Sequence, residues 1–99
     1  MGAVLQTATF RDHGLDHALK RFREMRGRLL RTYGDDMYGG HLGLKDHVEL
    51  TLSLEMPDAR HAESWIEGHG EKWGPAVGVR FRQGEAGDLY WMVGGWCPE

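Results

Sequence analysis

The sequence has very little cysteine and no motif that carries chemistry. Cys97 is the only cysteine among 99 residues, which excludes an internal disulfide and a zinc site built from several thiolates. His13 and His17 have the i, i+4 spacing of a metal-binding pair but lack a third ligand. No Gly-rich phosphate-binding loop, HExxH helix or nucleophile elbow is present. The sequence therefore predicts no cofactor and no metal, and it offers no motif for catalysis.

Long apolar runs are also missing. No stretch approaches the about 18 apolar residues that a transmembrane helix needs. The N-terminal residues lack the basic stretch and apolar region of a signal peptide. We therefore expect a cytoplasmic protein with no membrane partner. A chain of 99 residues is one domain, and Gly94 and Gly95 predict its end, which gives a domain over residues 1–95 and a C-terminal tail over residues 96–99.

The most informative segment is Leu15–Tyr33. Its apolar residues recur at helical spacing and fall on one arc of about 140°, so the pattern predicts a long amphipathic helix. Gly34 is the expected stop, and Asp12 or His13 is the expected N-terminal cap. A second helix is predicted from Asp58, a favourable N-cap residue. Its apolar positions are Ala59, Ala62, Trp65, Ile66 and Trp73.

Alternating apolar and polar residues predict the strands. Residues 3–10 form a first strand, and residues 47–56 form the clearest one. In the latter, every second residue from Val48 to Met56 is apolar, which predicts one buried face and one polar face. Residues 41–44 are interpreted as a short strand beside it. Residues 76–82 and 89–93 are predicted to form a hairpin around a Gly-bearing loop.

This order of elements is typical of an α+β sandwich. With residues 41–44 as a strand, we predict a ferredoxin-like antiparallel sheet with two helices on one face and an extra C-terminal edge strand. The polar face of residues 47–56 would then stay open, either as a ligand floor or as the face of a homodimer. A pair of vicinal-oxygen-chelate half-modules is disfavoured, because 99 residues is short for two complete modules.

Charge is distributed unevenly along the chain. Residues 11–31 hold seven basic and three acidic side chains, a net charge of +4, whereas the remaining residues carry −7. Five cations lie on the polar arc of the first helix and are predicted to contact a partner: Lys20, Arg21, Arg23, Arg28 and Arg31. An alternative is internal neutralisation, because two helices on one face of the sheet would place an acidic stripe beside them. That stripe comprises Glu63, Glu67 and Glu71.

Five further side chains are candidates for function. Arg26 lies inside the apolar arc of the first helix, where it either pairs with a carboxylate, extends its stem to solvent or anchors a ligand. His47 and Glu49 share the polar face of a predicted strand and are the candidates for proton transfer if the protein is an enzyme. The core is not expected to hold all four Trp, so Trp91 and Trp96 are assigned to the partner-binding surface.

From these features we expect a small non-catalytic binding protein with an inhibitory, immunity-type or regulatory role. Its partner is expected to be another protein that is acidic at the contact. The alternative is a small cofactor-independent enzyme or small-ligand binder on a dimeric ferredoxin-like scaffold, which rests on fold analogy alone. Nucleic-acid binding through the basic helix is a third hypothesis, and the net charge of −3 disfavours it.

Overall fold

The computed structural model describes residues 2–36 and 39–99. Within these residues, four strands form a single sheet, and two helices pack against it. A short 3₁₀ turn at Leu42–Leu44 precedes the second strand. In chain order the elements are β1 (Ala3–Arg11), α1 (Leu15–Tyr33), β2 (Val48–Met56), α2 (Ala59–His69), β3 (Ala76–Gln83) and β4 (Asp88–Pro98). The α+β class predicted from the sequence is confirmed.

The strand order differs from the prediction. The order is β1-β4-β3-β2; β4 is antiparallel to both neighbours, and β2 is parallel to β3. The sheet is therefore mixed, and its order is not ferredoxin-like. The C-terminal strand lies inside the sheet, so the prediction of a C-terminal edge strand is wrong. Residues 41–44 do not form a strand, because the 3₁₀ turn lies there, and the edges of the sheet are β1 and β2.

The two helices pack on opposite faces of the sheet. Successive side chains of β4 alternate between these faces: Trp91 and Val93 belong to the core cluster that contains α1 residues, whereas Met92 belongs to the cluster that contains α2 residues. The chain crosses the sheet from β1 to β2 and turns back from β2 to β3. Two right-handed crossovers in opposite directions place their helices on opposite faces. The prediction that both helices cover one face is therefore wrong, and each face carries a helix.

Each helix has its own core. On one face, Phe22 of α1 packs in a cluster with Trp91, whose indole is fully buried. On the other face, Ile66 of α2 packs in a cluster with Phe81, and both side chains are fully buried. Full burial of an apolar side chain of this size contributes about 1.5–3 kcal/mol. These contacts fix how each helix is rotated on the sheet, and therefore which of its residues face solvent.

The alternation predicted for residues 47–56 holds only in the first half of β2. Val48 and Leu50 pack against the α1 side of the core. The register with β3 shifts after Thr51, which marks a bulge in this edge strand. Leu52 and Leu54 are exposed, by 51% and 41% respectively, so these two leucines do not belong to a buried face as predicted.

The C-terminal residues belong to the sheet. Pro98 pairs with Ala3 at the far end of β4, so the segment predicted as a tail over residues 96–99 lies almost wholly in the strand. Gly94 is in the middle of β4 because a Cβ there would clash with the carbonyl oxygen of Gln6 on β1. Glycine at this position permits the close approach of two strands and does not end one.

The helix ends follow the sequence signals in part. α1 has the predicted bounds and ends before Gly34, whose φ of 81° favours glycine. Its first turn has no side-chain cap; Asp12 instead accepts the backbone N–H of Gly14 at 3.0 Å. α2 begins after Asp58, whose carboxylate accepts the backbone N–H of His61 at 2.9 Å, which confirms the predicted cap.

Of the helices in the described residues, neither is long and apolar enough to cross a membrane.

Candidate partner-binding surface

Five basic side chains project from α1 on the side that faces away from the sheet. We call this surface the α1 basic face, and it comprises Lys20, Arg21, Arg23, Arg28 and Arg31. All five residues are exposed. On the opposite side of the helix, Ala18, Phe22 and Met25 are buried against the sheet. Because this apolar stripe fixes the rotation of α1, the cations are held in solvent and do not fold back onto the core.

The α1 basic face is neutralised only in part by its own helix. Glu24 lies 4.0 Å from the Nζ of Lys20 and 3.6 Å from a guanidinium nitrogen of Arg21. These exposed pairs are weak, at about 0.3–0.5 kcal/mol for an i, i+4 pair. Arg28 and Arg31, like Arg23, form no ion pair with any residue in the ranges 2–36 and 39–99.

The acidic stripe does not face the basic one. Glu63 and Glu67 are exposed on α2, and Glu71 is exposed just after α2 ends. Since α2 packs on the other face of the sheet from α1, the sheet separates Glu63 and Glu67 from the α1 basic face. The internal neutralisation considered from the sequence therefore does not occur between these two helices.

Arg26 is held by backbone, on the flank of α1 that faces the 3₁₀ turn. It is half-buried, and its Nε donates a hydrogen bond to the carbonyl oxygen of Lys45 at 2.9 Å. This contact ties α1 to the chain that follows the 3₁₀ turn. It is a structural contact, and no cavity described below includes the Arg26 side chain, so a role as ligand anchor gains no support.

Lys45 is a buried cation that the sequence did not indicate. Only 5% of the residue is exposed, and its Nζ donates to the carbonyl oxygens of Glu71, Lys72 and Gly74 at 2.6, 3.1 and 3.0 Å. Burial lowers the pKa of Lys45 from its ordinary value, against the opposing influence of Cys97 and Glu71. The Lys45 ammonium thus holds the loop between α2 and β3 against the end of the 3₁₀ turn.

Cys97 lies close to this cation and is fully buried. Burial raises the pKa of its thiol, and the nearby Lys45 only partly opposes that shift. A protonated, inaccessible thiol is a poor nucleophile.

The two candidate acid–base residues, His47 and Glu49, are both exposed, and no cavity described here is lined by both. His47 precedes β2, and its Nδ1 lies 2.9 Å from an exposed carboxylate oxygen of Asp46, which lowers the pKa of Asp46. Glu49 lies in β2 and borders a polar groove of about 210 Å³ that also includes His69 and Glu71. His47 lines none of the five best-formed cavities in the described residues.

Metal-ligating side chains are scattered. Within the described ranges, no group of three or more His, Cys, Asp or Glu side chains is arranged to hold a metal ion. The rings of His13 and His17 meet edge to face, with 4.9 Å between their centroids. This pair borders a shallow groove of about 290 Å³ together with Phe10, Arg11 and Arg21, where β1 ends and α1 begins.

The two tryptophans assigned to a partner surface are tied to the fold. Trp91 is fully buried on the α1 side of the sheet, and its Nε1 donates to Asp12 at 3.0 Å. It cannot contact a partner without unfolding, so its assignment to that surface is wrong. Trp96 is half-buried on β4, and its Nε1 donates to the carbonyl oxygen of Glu67 at 2.9 Å, which fastens α2 to the sheet.

A cavity of about 430 Å³ lies beside the edge strand β1. Its walls are the middle of β1, the buried side of the C-terminal half of α1 and the chain that leads into the 3₁₀ turn. Met25 and Leu29 make its apolar wall, and Gln6 and Ala8 belong to its floor. No local pattern in the sequence signals this cavity, because it forms where three separate segments of the chain meet.

No protein-family model, curated protein or solved structure matches this chain.

Proposed function

We propose that this protein is a binding protein whose α1 basic face engages an acidic surface of another protein. The observation that carries the proposal is the position of the cations: five exposed basic side chains on one helix, with the acidic stripe on the opposite side of the sheet. A cluster of one sign of charge creates a local field that attracts the opposite sign. An inhibitory or regulatory role is consistent with such a surface.

Trp91 is not part of this surface, because its side chain is in the core. Arg23, Arg28 and Arg31 are the strongest candidates for contact, since they are exposed and form no ion pair within the described residues. Lys20 and Arg21 must break their ion pairs with Glu24 before they can contact the partner, and breaking an exposed pair of this kind costs little free energy.

The test is capture of the partner by charge-reversed variants. The wild-type protein and a triple variant with Arg21→Glu, Arg28→Glu and Arg31→Glu are immobilised, and proteins retained from an extract of the native host are identified by mass spectrometry. We expect the triple variant to lose the partner while its circular dichroism is unchanged. Retention of the same partner by the folded triple variant would refute the proposal.

A matched pair of single variants separates position from net charge. Arg28→Glu on α1 and Arg60→Glu on α2 both reverse one exposed helical arginine and change the net charge equally. With the purified partner, Arg28→Glu is expected to weaken binding about tenfold, which corresponds to about 1.4 kcal/mol, and Arg60→Glu is expected to leave it unchanged. Equal effects would indicate a dependence on overall charge only, and loss of capture after nuclease treatment would indicate a nucleic acid.

A further inference from the structure

Over residues 3–10, the edge of β1 lacks the charges, prolines and bulges that protect edge strands from pairing. β1 is nine residues long and pairs with β4 in one unbroken register from Ala3 to Arg11, without a bulge. Residues 3–10 contain no proline and no charged side chain. Proteins protect exposed edges with such charges, prolines and bulges, because an unpaired edge is a template for another strand.

The hydrogen-bond pattern shows which backbone groups point outward from this edge. Asp12 N–H donates to the carbonyl oxygen of Leu89, and Glu99 N–H donates to that of Gly2, so the ladder bonds at both ends of β1 involve even-numbered residues of that strand. Hydrogen-bonded pairs alternate along an antiparallel ladder. The odd-numbered residues, of which Thr7 is the central one, therefore direct their N–H and C=O groups away from β4, and within the described residues no backbone hydrogen bond satisfies them.

The cavity of about 430 Å³ borders this same stretch. Gln6, Thr7 and Ala8 line it. Alternation turns the side chain of Thr7 towards the α2 face, so it is the main chain that borders the cavity at this residue. A strand added at the β1 edge would thus place one side chain beside the apolar wall formed by Met25 and Leu29.

One flank of the α1 basic face lies along this edge. Arg21 shares a groove with Phe10 at the end of β1, whereas Arg26 on the other flank is bonded to Lys45. Arg28 is two helical turns after Arg21 and lies on the same flank, about 10 Å further along the axis. Met25, which lines the cavity, lies between them in the sequence. Neither guanidinium group lines the cavity itself, but helical geometry places both on the flank of α1 that meets the end of β1 at Arg21.

We propose that an extended acidic segment of a partner protein adds to the sheet at β1. The segment pairs with the outward backbone groups around Thr7, places one apolar side chain in the cavity and directs flanking carboxylates to Arg21 and Arg28. Main-chain pairing with pockets for alternate side chains is an established mode of peptide recognition. The segment has the pattern acidic, any, apolar, any, acidic, because alternate residues of a strand share a face. This proposal rests on the proposed function of the α1 basic face.

A second copy of this chain fits the edge less well than an acidic segment. Two β1 strands paired antiparallel would be related by a two-fold axis through the sheet, which brings both α1 helices to the same face. Residues 11–31 carry a net charge of +4, so their basic faces would repel each other. The residues that would enter each cavity from the other copy are the small or polar ones of β1, such as Ala8. Charge complementarity therefore selects an acidic occupant.

The test uses a defined peptide and amide hydrogen exchange. The probe is an acetylated and amidated heptapeptide, Thr-Glu-Thr-Leu-Thr-Glu-Thr, and its control carries lysine in place of both glutamates. In the free protein the amides of Leu5, Thr7 and Thr9 are expected to exchange faster than those of Gln6 and Ala8. At saturating probe the first three are expected to become protected about tenfold or more, and the lysine peptide should not bind.

Two variants of one residue test the backbone contact. Thr7→Pro removes an outward N–H, which an edge strand tolerates on its solvent side, and is expected to weaken binding about tenfold, equivalent to about 1.4 kcal/mol. Thr7→Val keeps the N–H and should bind within about twofold of the wild type. If Thr7→Pro does not fold, the exchange pattern of the wild type decides the question without it.

The outcomes separate this proposal from the one on which it rests. No binding of the probe at about 1 mM, or binding that leaves the Leu5, Thr7 and Thr9 amides unprotected, overturns strand addition and leaves the α1 basic face to its own test. Protection that survives Arg21→Glu with Arg28→Glu would overturn the acidic character of the segment. Protection that rises with protein concentration alone, together with a doubled mass in sedimentation, would assign the edge to a second copy.

Discussion

Replacing Lys45 with methionine tests whether a buried cation organises this fold. The Nζ atom donates to three carbonyl oxygens of the loop between α2 and β3, and the residue is 5% exposed. Methionine retains much of the apolar stem but donates no hydrogen bond. The substitution therefore leaves three carbonyl groups without their common donor and releases the loop from the 3₁₀ turn.

The magnitude follows from opposing contributions. Hydrogen bonds to a charged group contribute about 1.5–3 kcal/mol each, so three of them could contribute up to about 9 kcal/mol before costs. Burying the ammonium costs several kcal/mol, and removing one partner of a buried charged contact typically destabilises by about 3–5 kcal/mol. We expect Lys45→Met to lower the free energy of unfolding by about 3 kcal/mol, which for a domain of this size lowers Tm by about 12–24 °C.

Chemical denaturation of both proteins, monitored by far-UV circular dichroism, measures this loss. The matched control is Lys20→Met, which removes an ammonium whose side chain is 69% exposed and should change stability by less than about 0.5 kcal/mol. A loss below about 1 kcal/mol for Lys45→Met would show that desolvation of the ammonium offsets its three bonds. The argument that this cation stabilises the loop would then be refuted.

Three further predictions concern the core, a cap and the thiol. Gly94→Ala should lower the free energy of unfolding in urea by about 3 kcal/mol or more, because the added Cβ meets the Gln6 carbonyl. Its control, Gly68→Ala, adds a Cβ in open space on α2 and should raise the free energy of unfolding by about 0.5–1 kcal/mol. Equal effects of the two substitutions would contradict the close approach of β1 and β4 at Gly94. The backbone N–H and the ring of His61 lower the pKa of Asp58. The contribution of the ionised Asp58 to folding stability is therefore present above its ordinary pKa of 3.8 and is lost as pH falls through the lower pKa of the folded state. Asp58→Asn should keep the cap but flatten this part of the acid-unfolding curve, and an unchanged curve would count against it. Cys97, fully buried, should react with a disulfide reagent only at the rate of unfolding, and rapid labelling of the native protein would disprove its burial.

The helices were predictable because their signals are local. The apolar arc of α1 and the glycine after it define the bounds Leu15–Tyr33, and the carboxylate of Asp58 caps α2 as predicted. The same arc determines which cations face solvent, so the exposure of Arg28 and Arg31 followed from the sequence. A pattern of this kind needs only the residues of one helix and one apolar surface to pack against.

The placement of the helices was not predictable in this way. Which face a helix covers depends on the direction in which the chain crosses the sheet, and therefore on the strand order, which no local pattern encodes. Gly94 and Gly95 suggested an end of order, but they allow two backbones to approach in the middle of β4. Lys45 looked like an ordinary surface lysine, because its three acceptors lie 26 to 29 residues further along the chain.

The sequence predicted which residues form the candidate surface, but not the cavity that lies beside it. The five cations of the α1 basic face were identified from helical spacing, whereas the cavity beside β1 requires β1, α1 and the chain before the 3₁₀ turn to meet. Trp91 was misassigned because an aromatic residue near the end of a chain gives no local indication of burial. Its strand proved to be an inner one.

The position of α1 and α2 on opposite faces gives the molecule an electric dipole across its sheet. The residues of α1 carry a net charge of +4 on one side, and the exposed Glu63 and Glu67 are on the other. If the proposed acidic partner exists, such a field would turn it before contact and repel it from the α2 side. Changes in the α1 charges should then alter the association rate more than the dissociation rate, and salt should remove that difference as the screening length falls below about 8 Å. A chain with a net charge of only −3 thereby acquires a preferred direction of approach.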